Sequence, residues 1–220
     1  QRFGCPVLNC LGAVDCGGLI STYPDSTQDE RLLTVGKPIS STELKLVDEK
    51  GREVAPGEVG EIFLGGPSCA GGYFKDPAAT WQSWTEDGWF KMGDLGRLDS
   101  RGNLLMVGRK KDLIIRGGQN IYPLEVENLL QAHPKVAGVA IVGMPDIVMG
   151  EKACAFVVPK PGQTFAFEDM ISFLKKQKIA SYKLPERLEI IDKIPLAAEQ
   201  KPDKKALRAI IAEKLKAEGK

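Results

Sequence analysis

Three lysines near the end of the sequence are the first side chains that could do chemistry. Lys201, Lys204 and Lys205 lie in the stretch IPLAAEQKPDKKALRAI. A lysine ammonium is a compact charge on a flexible stem, so it can neutralise charge that builds on a phosphate or carboxylate in a transition state. The bland alternative is that all three are solvated residues at the start of a terminal helix. The cluster alone does not choose between these roles.

Two other motifs could serve a site, although each also has an ordinary structural explanation. Asp94 follows a glycine in DGWFKMGDLGRLD, and a lone loop aspartate usually caps or turns the chain. Gly117 and Gly118 lie in GRKKDLIIRGGQNIYPLEVE, where missing side chains allow a bend or the close approach of another group. In isolation, a glycine pair most often marks a turn.

Composition excludes several classes of protein. The 30 Lys+Arg and 29 Asp+Glu residues nearly cancel, so the chain lacks the global charge of a nucleic-acid binder. Five cysteines and a single histidine fit neither a disulfide framework nor the spacing of a zinc site. No apolar run approaches the roughly 18 residues of a membrane span. We therefore expect a cytoplasmic protein with no membrane span and no nucleic-acid partner.

The elements that must position these residues change in kind along the chain. Residues 1–109 carry short apolar runs separated by Gly, Pro and Asp turns, and RLDSRGNLLMVGR predicts a hairpin. Residues 113–220 alternate strand and helix patterns, which predicts a small α+β domain. Residues 110–112, in the charged cluster RKKD, form the junction. The fold class is accordingly α/β to α+β, with a β-rich first part.

Helix signals in the second part are specific enough to predict helix ends. Pro123 suits the first turn of a helix over PLEVENLLQAHP. A helix is also predicted over FEDMISFLKKQ. The last helix begins near Asp203, a favourable N-cap, and is expected to bury Leu207, Ile210 and Ile211. Strands are predicted over VAGVAIVG, ACAFVVP and RLEIID.

In their order along the chain, these motifs resemble the C-terminal part of the AMP-forming acyl-CoA synthetases, which belong to the adenylate-forming superfamily. The matching stretches are GGYFKDPAATWQSWTEDGWFKMGDLGRLD, GRKKDLIIRGGQNIYPLEVE, HPKVAGVAIVGMPDIVMGEKACAFVV and YKLPERLEIIDKIPLAAEQKPDKKALR. The resemblance implies a β-rich distal part of a large N-terminal domain, followed by a small mobile lid domain. It also implies two reactions: a carboxylic acid and ATP form an acyl-adenylate, and a thiol, usually that of CoA, then captures the acyl group.

The resemblance assigns nucleotide and catalytic roles to particular residues. Asp94 matches the carboxylate that accepts hydrogen bonds from both ribose hydroxyls, and Arg109 matches an arginine that also reaches the nucleotide. Asp15 matches the position that holds Mg2+ with ATP. Lys201 falls on the lysine whose ammonium bridges the attacking carboxylate and the α-phosphate. Lys204 and Lys205 are then expected to stay on the helix surface.

Further roles concern domain movement and the second reaction. Asp112 matches the hinge about which the lid swings between the two reactions. Gly117, Gly118 and Gln119 match the loop that lines the tunnel for the pantetheine arm of CoA. The implied cofactors are ATP, Mg2+ and CoA.

Several positions depart from the family pattern. The usual Tyr-Gly-x-Thr-Glu segment appears as LGAVDCG, so Leu11 replaces an aromatic residue that stacks on adenine and Val14 replaces a threonine. Met92 stands where threonine is common, and Gln200 stands where glycine normally precedes the lysine. These changes predict weaker use of ATP or an altered subfamily.

The chain begins QRFGCPVLNC, without an initiator methionine, and lacks the phosphate loop that lies upstream in the family. We expect part of a longer protein, missing an N-terminal portion and inactive alone. Two alternatives stay open: an adenylation enzyme that loads a carrier protein, and a non-catalytic, degenerate homologue. Fatty, aryl and alicyclic acids all suit the family, and the sequence does not choose among them.

Overall fold

A computed structural model describes residues 4–197 and 201–219. Backbone contacts divide the chain into two compact units, Gln1–Lys110 and Lys111–Lys220. Each unit has its own buried core. Within the described residues, no helix is both long enough and apolar enough to cross a bilayer.

The first unit consists mainly of two antiparallel sheets. The smaller sheet contains, in order, strands β1 (Cys10–Gly12), β2 (Leu19–Ser21) and β3 (Lys37–Pro38). The larger sheet contains, in order, β4 (Glu43–Val47), β5 (Gly60–Gly65), β6 (Phe90–Leu98) and β7 (Leu104–Arg109). Short helices lie in two of the connections, α1 (Gln28–Leu33) between β2 and β3, and α2 (Pro77–Ser83) between β5 and β6.

Local hydrogen bonds stabilise the turn that joins β6 and β7. The Asp99 carboxylate accepts from the backbone N–H groups of Arg101 and Asn103, each at 2.8 Å. Gly102 completes the turn with a φ of 80°, a conformation that favours glycine. The predicted hairpin over RLDSRGNLLMVGR is therefore confirmed.

The second unit is a mixed sheet with helices on both faces. Its strands are β8 (Ile114–Arg116), β9 (Gln119–Ile121), β10 (Val136–Asp146), β11 (Gly150–Pro159) and β12 (Arg187–Ile190). Its helices are α3 (Pro123–Gln131), α4 (Phe167–Lys176) and α5 (Lys204–Ala217). The strand order is β10-β11-β8-β9, and β12 pairs in parallel with β11. A 3-10 turn, Lys110–Asp112, precedes β8.

The side chains of β10 alternate between the two faces of the sheet, and helices cover both faces. Successive side chains of a strand point to opposite faces. Val139 and Ile141 pack in the core that includes residues of α3 and α4. Ala140 and Val142 pack in a separate core with residues of α5. Both faces are thus buried, which explains why VAGVAIVG is an unbroken apolar run.

The predicted helix ends agree closely with the structure, but one buried position does not. Pro123 occupies the first turn of α3, and the Asp203 side chain caps α5 by accepting from the Ala206 N–H at 3.0 Å. In α5, Leu207 and Ile211 are buried as predicted, whereas Ile210 is 40% exposed and Leu215 is buried instead. The buried stripe follows a spacing of four residues, so position 210 lies outside it.

Candidate active site

Asp94 and Arg109 lie directly opposite each other in the register of β6 and β7. The Arg109 Nε lies 3.4 Å from Asp94 Oδ1. The Asp94 side chain is only 15% exposed, whereas that of Arg109 is 46% exposed. The sheet therefore presents a fixed, two-oxygen acceptor beside a planar cation with free surface, which suits recognition of a diol near an anionic group.

Asp15 lies in the turn Val14–Cys16 that joins β1 and β2, and its side chain is exposed. Backbone bonds from Cys16 and Gly17 to the Ala13 carbonyl close this turn at 3.3 and 2.7 Å. Among the described residues, no group of three or more His, Cys, Asp or Glu side chains is arranged to hold a metal. One exposed carboxylate still fits Mg2+, because this ion is commonly held by one or two carboxylates together with substrate phosphates.

The two altered positions beside Asp15 differ in their surroundings. Leu11 packs against the core of the first unit, so its side chain contributes to folding. Val14 is fully exposed on the turn and packs against nothing that would explain an apolar residue there. Neither side chain can provide aromatic stacking or a hydroxyl hydrogen bond, which are the features expected of this segment.

Lys201 is exposed on a loop whose base is well organised. Its carbonyl accepts from the Ala197 N–H at 2.8 Å, and the Asp203 N–H donates to the Pro195 carbonyl at 2.8 Å. An isolated bridge pairs Leu196 with Pro202. These backbone bonds fix the main chain at Lys201, directly before the cap of α5. Gln200, another predicted departure, lies outside the described residues.

The prediction that Lys204 and Lys205 both lie on the helix surface is wrong for Lys204. Its ammonium lies 2.7 Å from Glu127 of α3, and both side chains are only 15% exposed. Glu127 also accepts from the Ile141 N–H at 2.7 Å. Lys204 therefore ties α5 to α3 and β10, because a partly buried carboxylate needs a charged partner. Lys205 is exposed, as predicted.

Asp112 ends the 3-10 turn and is bound by a residue of α5. Arg208 Nη2 donates to Asp112 Oδ1 at 3.1 Å and to the Lys111 carbonyl at 3.2 Å. The Asp112 side chain is 13% exposed and that of Arg208 is 33% exposed. The residue predicted as a hinge is therefore restrained within the second unit.

Gly117 and Gly118 form the two-residue turn between β8 and β9. Their φ angles are 54° and 80°, which suits a tight hairpin with both central residues in the left-handed region. A Cβ on Gly117 would lie 2.6 Å from Met149 Cε, whereas one on Gly118 would meet nothing within 4 Å. Gln119 follows and is exposed. The turn itself accounts for both glycines, and the space above Gly118 is open.

Comparison with known proteins identifies the family of the chain. The family model for the AMP-binding enzyme matches residues 1–74, and that for the AMP-binding enzyme C-terminal domain matches residues 125–201. The chain belongs to the adenylate-forming enzyme superfamily. Its mixed α/β fold, rich in sheet, is that of the C-terminal part of this superfamily, as predicted.

Adenylate-forming relatives differ in what they make. The chain is 39% identical to the 2,3-dihydroxybenzoate-AMP ligase of Bacillus subtilis (strain 168), covering 97% of this chain and 39% of that enzyme. It is 35% identical to the medium-chain fatty-acid–CoA ligase of Escherichia coli (strain K12), covering 98% and 38%. The ATP-bound crystal structure of MatB from Rhodopseudomonas palustris superposes with a TM-score of 0.84 at 32% identity, covering 93% and 40%. The chain thus spans about two fifths of the length of these relatives.

Residue patterns missed three contributors to this adenylate-forming fold. Arg208 binds Asp112, Glu127 pairs with Lys204, and the Met149 carbonyl accepts from the Gly117 N–H at 2.8 Å. The sequence contains one indication for Arg208, which follows Lys204 by four residues and therefore lies on the same face of the predicted helix. Met149 and Glu127 gave no such signal, since their partners are distant in sequence.

Proposed function

We propose that the chain is the distal part of an ATP-dependent, AMP-forming carboxylic acid–CoA ligase. In the first reaction, the acid's carboxylate attacks the α-phosphate of ATP and releases pyrophosphate; in the second, the CoA thiol displaces AMP from the acyl-adenylate. The observation that carries the proposal is the pairing of Asp94 with Arg109 in the strand register. We place the reactions in the cytoplasm, because five cysteines, an odd number, favour a reducing compartment.

In this proposal Asp94 binds the ribose of the nucleotide. A carboxylate can accept hydrogen bonds from two hydroxyls at once. The Asp94 side chain is only 15% exposed on a central strand, which limits its movement. Arg109, across the register, pairs with Asp94 and leaves much of its own exposed guanidinium for an anionic oxygen of the nucleotide. Both roles use preorganised groups, which lowers the cost of ordering on binding.

Lys201 is the proposed catalytic residue of adenylate formation. Its backbone is held at the base of the loop, and the residue is exposed. An ammonium placed between the carboxylate and the α-phosphate would stabilise the negative charge that develops as the new bond forms. Asp15 would contribute one carboxylate to Mg2+, which neutralises phosphate charge when bound.

The second reaction requires a change of site, which we assign to movement of the second unit. We propose residues 1–109 as the distal part of the N-terminal domain, residues 110–112 as the hinge with Asp112 as its pivot, and residues 113–220 as the lid. The turn at Gly117 and Gly118, followed by Gln119, would line the path of the pantetheine arm. The open space above Gly118 supports this role, because a thin chain can approach the backbone there.

Pyrophosphate exchange in the full-length protein tests the first reaction. With 2,3-dihydroxybenzoate and octanoate as probe acids, we expect Lys201→Ala to lower the exchange rate by about 10²–10³-fold, the usual loss when one charge-stabilising donor is removed. The matched control is Lys205→Ala, which removes an exposed lysine from the same region. Equal rates for wild type and Lys201→Ala would contradict the assignment of Lys201.

A carrier-protein acceptor is the second candidate, favoured by the 39% identity to a 2,3-dihydroxybenzoate-AMP ligase. Incubating the full-length protein with acid, ATP and free CoA separates the two acceptors. Formation of acyl-CoA supports the ligase, whereas adenylate formation without any free thioester favours carrier loading. The degenerate homologue, suggested by Leu11 and Val14, predicts no exchange with any acid of a broad panel. In the expressed 220-residue chain alone, we expect no exchange either.

A further inference from the structure

One carboxylate oxygen joins three elements of the second unit. Glu127 Oε1, on α3, accepts from the Ile141 N–H of β10 at 2.7 Å and lies 2.7 Å from the Lys204 ammonium of α5. The side chains of Glu127 and Lys204 are each only 15% exposed. Because both contacts use the same oxygen, the strand fixes where that oxygen lies, and the oxygen in turn fixes the ammonium.

Lys204 lies where a lysine does little to stabilise a helix. It is the first residue of α5, and the N-terminal end of a helix carries a partial positive charge that disfavours cations. A partly buried ion pair also contributes little net stability, because the removal of both charges from water offsets their attraction. Either charge left without its partner is nevertheless costly, so the two groups must stay together. The pair is therefore better suited to fixing a position than to adding stability.

The pair fixes the start of α5 and, with it, the loop before the helix. Asp203 caps the helix, and its N–H donates to the Pro195 carbonyl at 2.8 Å. The Ala197 N–H donates to the Lys201 carbonyl at 2.8 Å, so the two ends of the loop are held together. Lys201 thus lies three residues before the anchored lysine, and a displacement of the helix start would also displace Lys201.

We propose that Glu127 is a positioning residue for adenylate formation, which through Lys204 sets where Lys201 lies relative to the reacting carboxylate and the α-phosphate. This inference rests on the proposed function, in which Lys201 serves adenylate formation. Each contact of the anchor lies inside the second unit, so the anchor is present during both reactions. It therefore acts on the rate of adenylate formation and leaves the capture of the acyl group by CoA unchanged.

The test compares the two half-reactions in the full-length protein. Adenylate formation is measured by pyrophosphate exchange with 2,3-dihydroxybenzoate or octanoate, and thioester formation by mixing the corresponding acyl-adenylate with CoA. Glu127→Gln keeps an oxygen for the Ile141 N–H but removes the charge that holds Lys204. We expect this change to lower the exchange rate by about 10- to 100-fold and to leave the thioester rate within about 2-fold, because misplacing a catalytic group by about 1 Å can cost about 10²-fold.

The matched control is Glu125→Gln, which removes a carboxylate from the same helix. Glu125 pairs at 2.6 Å with Lys183, which lies in the 3-10 turn Ser181–Lys183 and so outside α5. Both rates should stay near those of the wild type. Equal losses of both half-reactions in Glu127→Gln would indicate a merely structural role and overturn the proposal, as would an unchanged exchange rate.

A double variant shows whether Glu127 acts through Lys204. Lys204→Met keeps an unbranched side chain and removes the charge. It should lower exchange as Glu127→Gln does, and the double variant should be no slower than the slower single variant, because both changes remove the same contact. Multiplication of the two losses in the double variant would overturn an effect through Lys204. Lys204→Arg, which keeps a cation for Glu127, should retain more of the exchange rate than Lys204→Met.

Hydrogen exchange of residues 203–206, at the start of α5, provides a readout that needs no substrate. Glu127→Gln should raise exchange there relative to the wild type and to Glu125→Gln, and unchanged hydrogen exchange would overturn the anchor. Absence of pyrophosphate exchange in the wild type with either acid would instead contradict the proposed function. In that case the hydrogen-exchange comparison still decides whether Glu127 fixes the start of α5.

Discussion

At the scale of single residues, Asp94 owes its proposed role to its place on a central strand. A carboxylate that is 15% exposed and faces Arg109 cannot be replaced by an amide without losing charge and one pair of acceptor sites. We expect Asp94→Asn to raise the KM for ATP about 10- to 100-fold in pyrophosphate exchange, since hydrogen bonds to charged groups contribute about 1.5–3 kcal/mol. Asp87→Asn is the control, because that side chain is 67% exposed. An unchanged KM in Asp94→Asn would refute the ribose contact.

His133 carries a pH dependence that can be isolated, since it is the single histidine of the chain. It is 8% exposed, accepts from the Lys135 N–H at 3.1 Å and meets Phe165 and Phe173 edge-on. Burial lowers its pKa, while the nearby Asp169 carboxylate acts in the opposite direction and the cations Lys135 and Lys160 add to the lowering. The folded state therefore favours neutral imidazole.

A lowered folded pKa means that protonation favours the unfolded state. The contribution of His133 is complete above the unfolded pKa, about 6.5, and is lost as the pH falls below that value. Denaturant unfolding should show lower stability at pH 5.5 than at pH 7.5. His133→Asn, whose side-chain oxygen can accept from the same N–H, should lose most of that difference. An undiminished difference in this variant would assign the pH dependence to other groups.

At the scale of elements, α5 begins where Asp203 caps its first turn. The carboxylate accepts from the Ala206 N–H at 3.0 Å, and such a cap contributes about 1 kcal/mol. We expect Asp203→Ala to lower the free energy of unfolding by about that amount, whereas Asp203→Asn should keep most of it. Urea unfolding of the two variants measures the difference. Equal losses would show that charge, and not the acceptor, stabilises the helix.

Packing of the same helix gives different surroundings to three lysines that are close together in the sequence. Lys201, Lys204 and Lys205 are neighbours in sequence, yet one lies on an exposed loop, one is paired with Glu127 at 15% exposure and one faces solvent. Helical rotation separates Lys204 from Lys205, and the core beneath Leu207 determines which of them is turned inward. The roles proposed for these lysines thus depend on how α5 is seated.

At the scale of the whole molecule, the second unit has the features of an independent folding unit. Its sheet is covered on both faces, with a core that includes residues of α3 and α4 on one face and one that includes residues of α5 on the other. We expect residues 111–220 expressed alone to unfold in one cooperative transition, because both cores lie entirely within the unit. Circular dichroism during urea titration measures this. A gradual, non-cooperative loss of signal would show that the unit depends on the rest of the chain.

The sequence by itself determined what depends on near neighbours or on motif order. Pro123 at the start of α3, the Asp203 cap and the hairpin over RLDSRGNLLMVGR involve groups a few residues apart, so their types predict their structure. The order of motifs also identified the superfamily, as the comparisons confirm. The roles of Lys201 and Asp15 came from that resemblance, and they stay predictions.

Only the tertiary structure decided which distant residues meet. Strand register placed Asp94 opposite Arg109, and the seating of α5 brought Arg208 to Asp112, 96 residues away, and Lys204 to Glu127. It also buried Leu215 in place of Ile210. Local patterns cannot specify such pairs, because register and helix orientation are set by burying apolar surface over a whole sheet at once. Which residue pairs with a given charged side chain is therefore determined only when that core has formed.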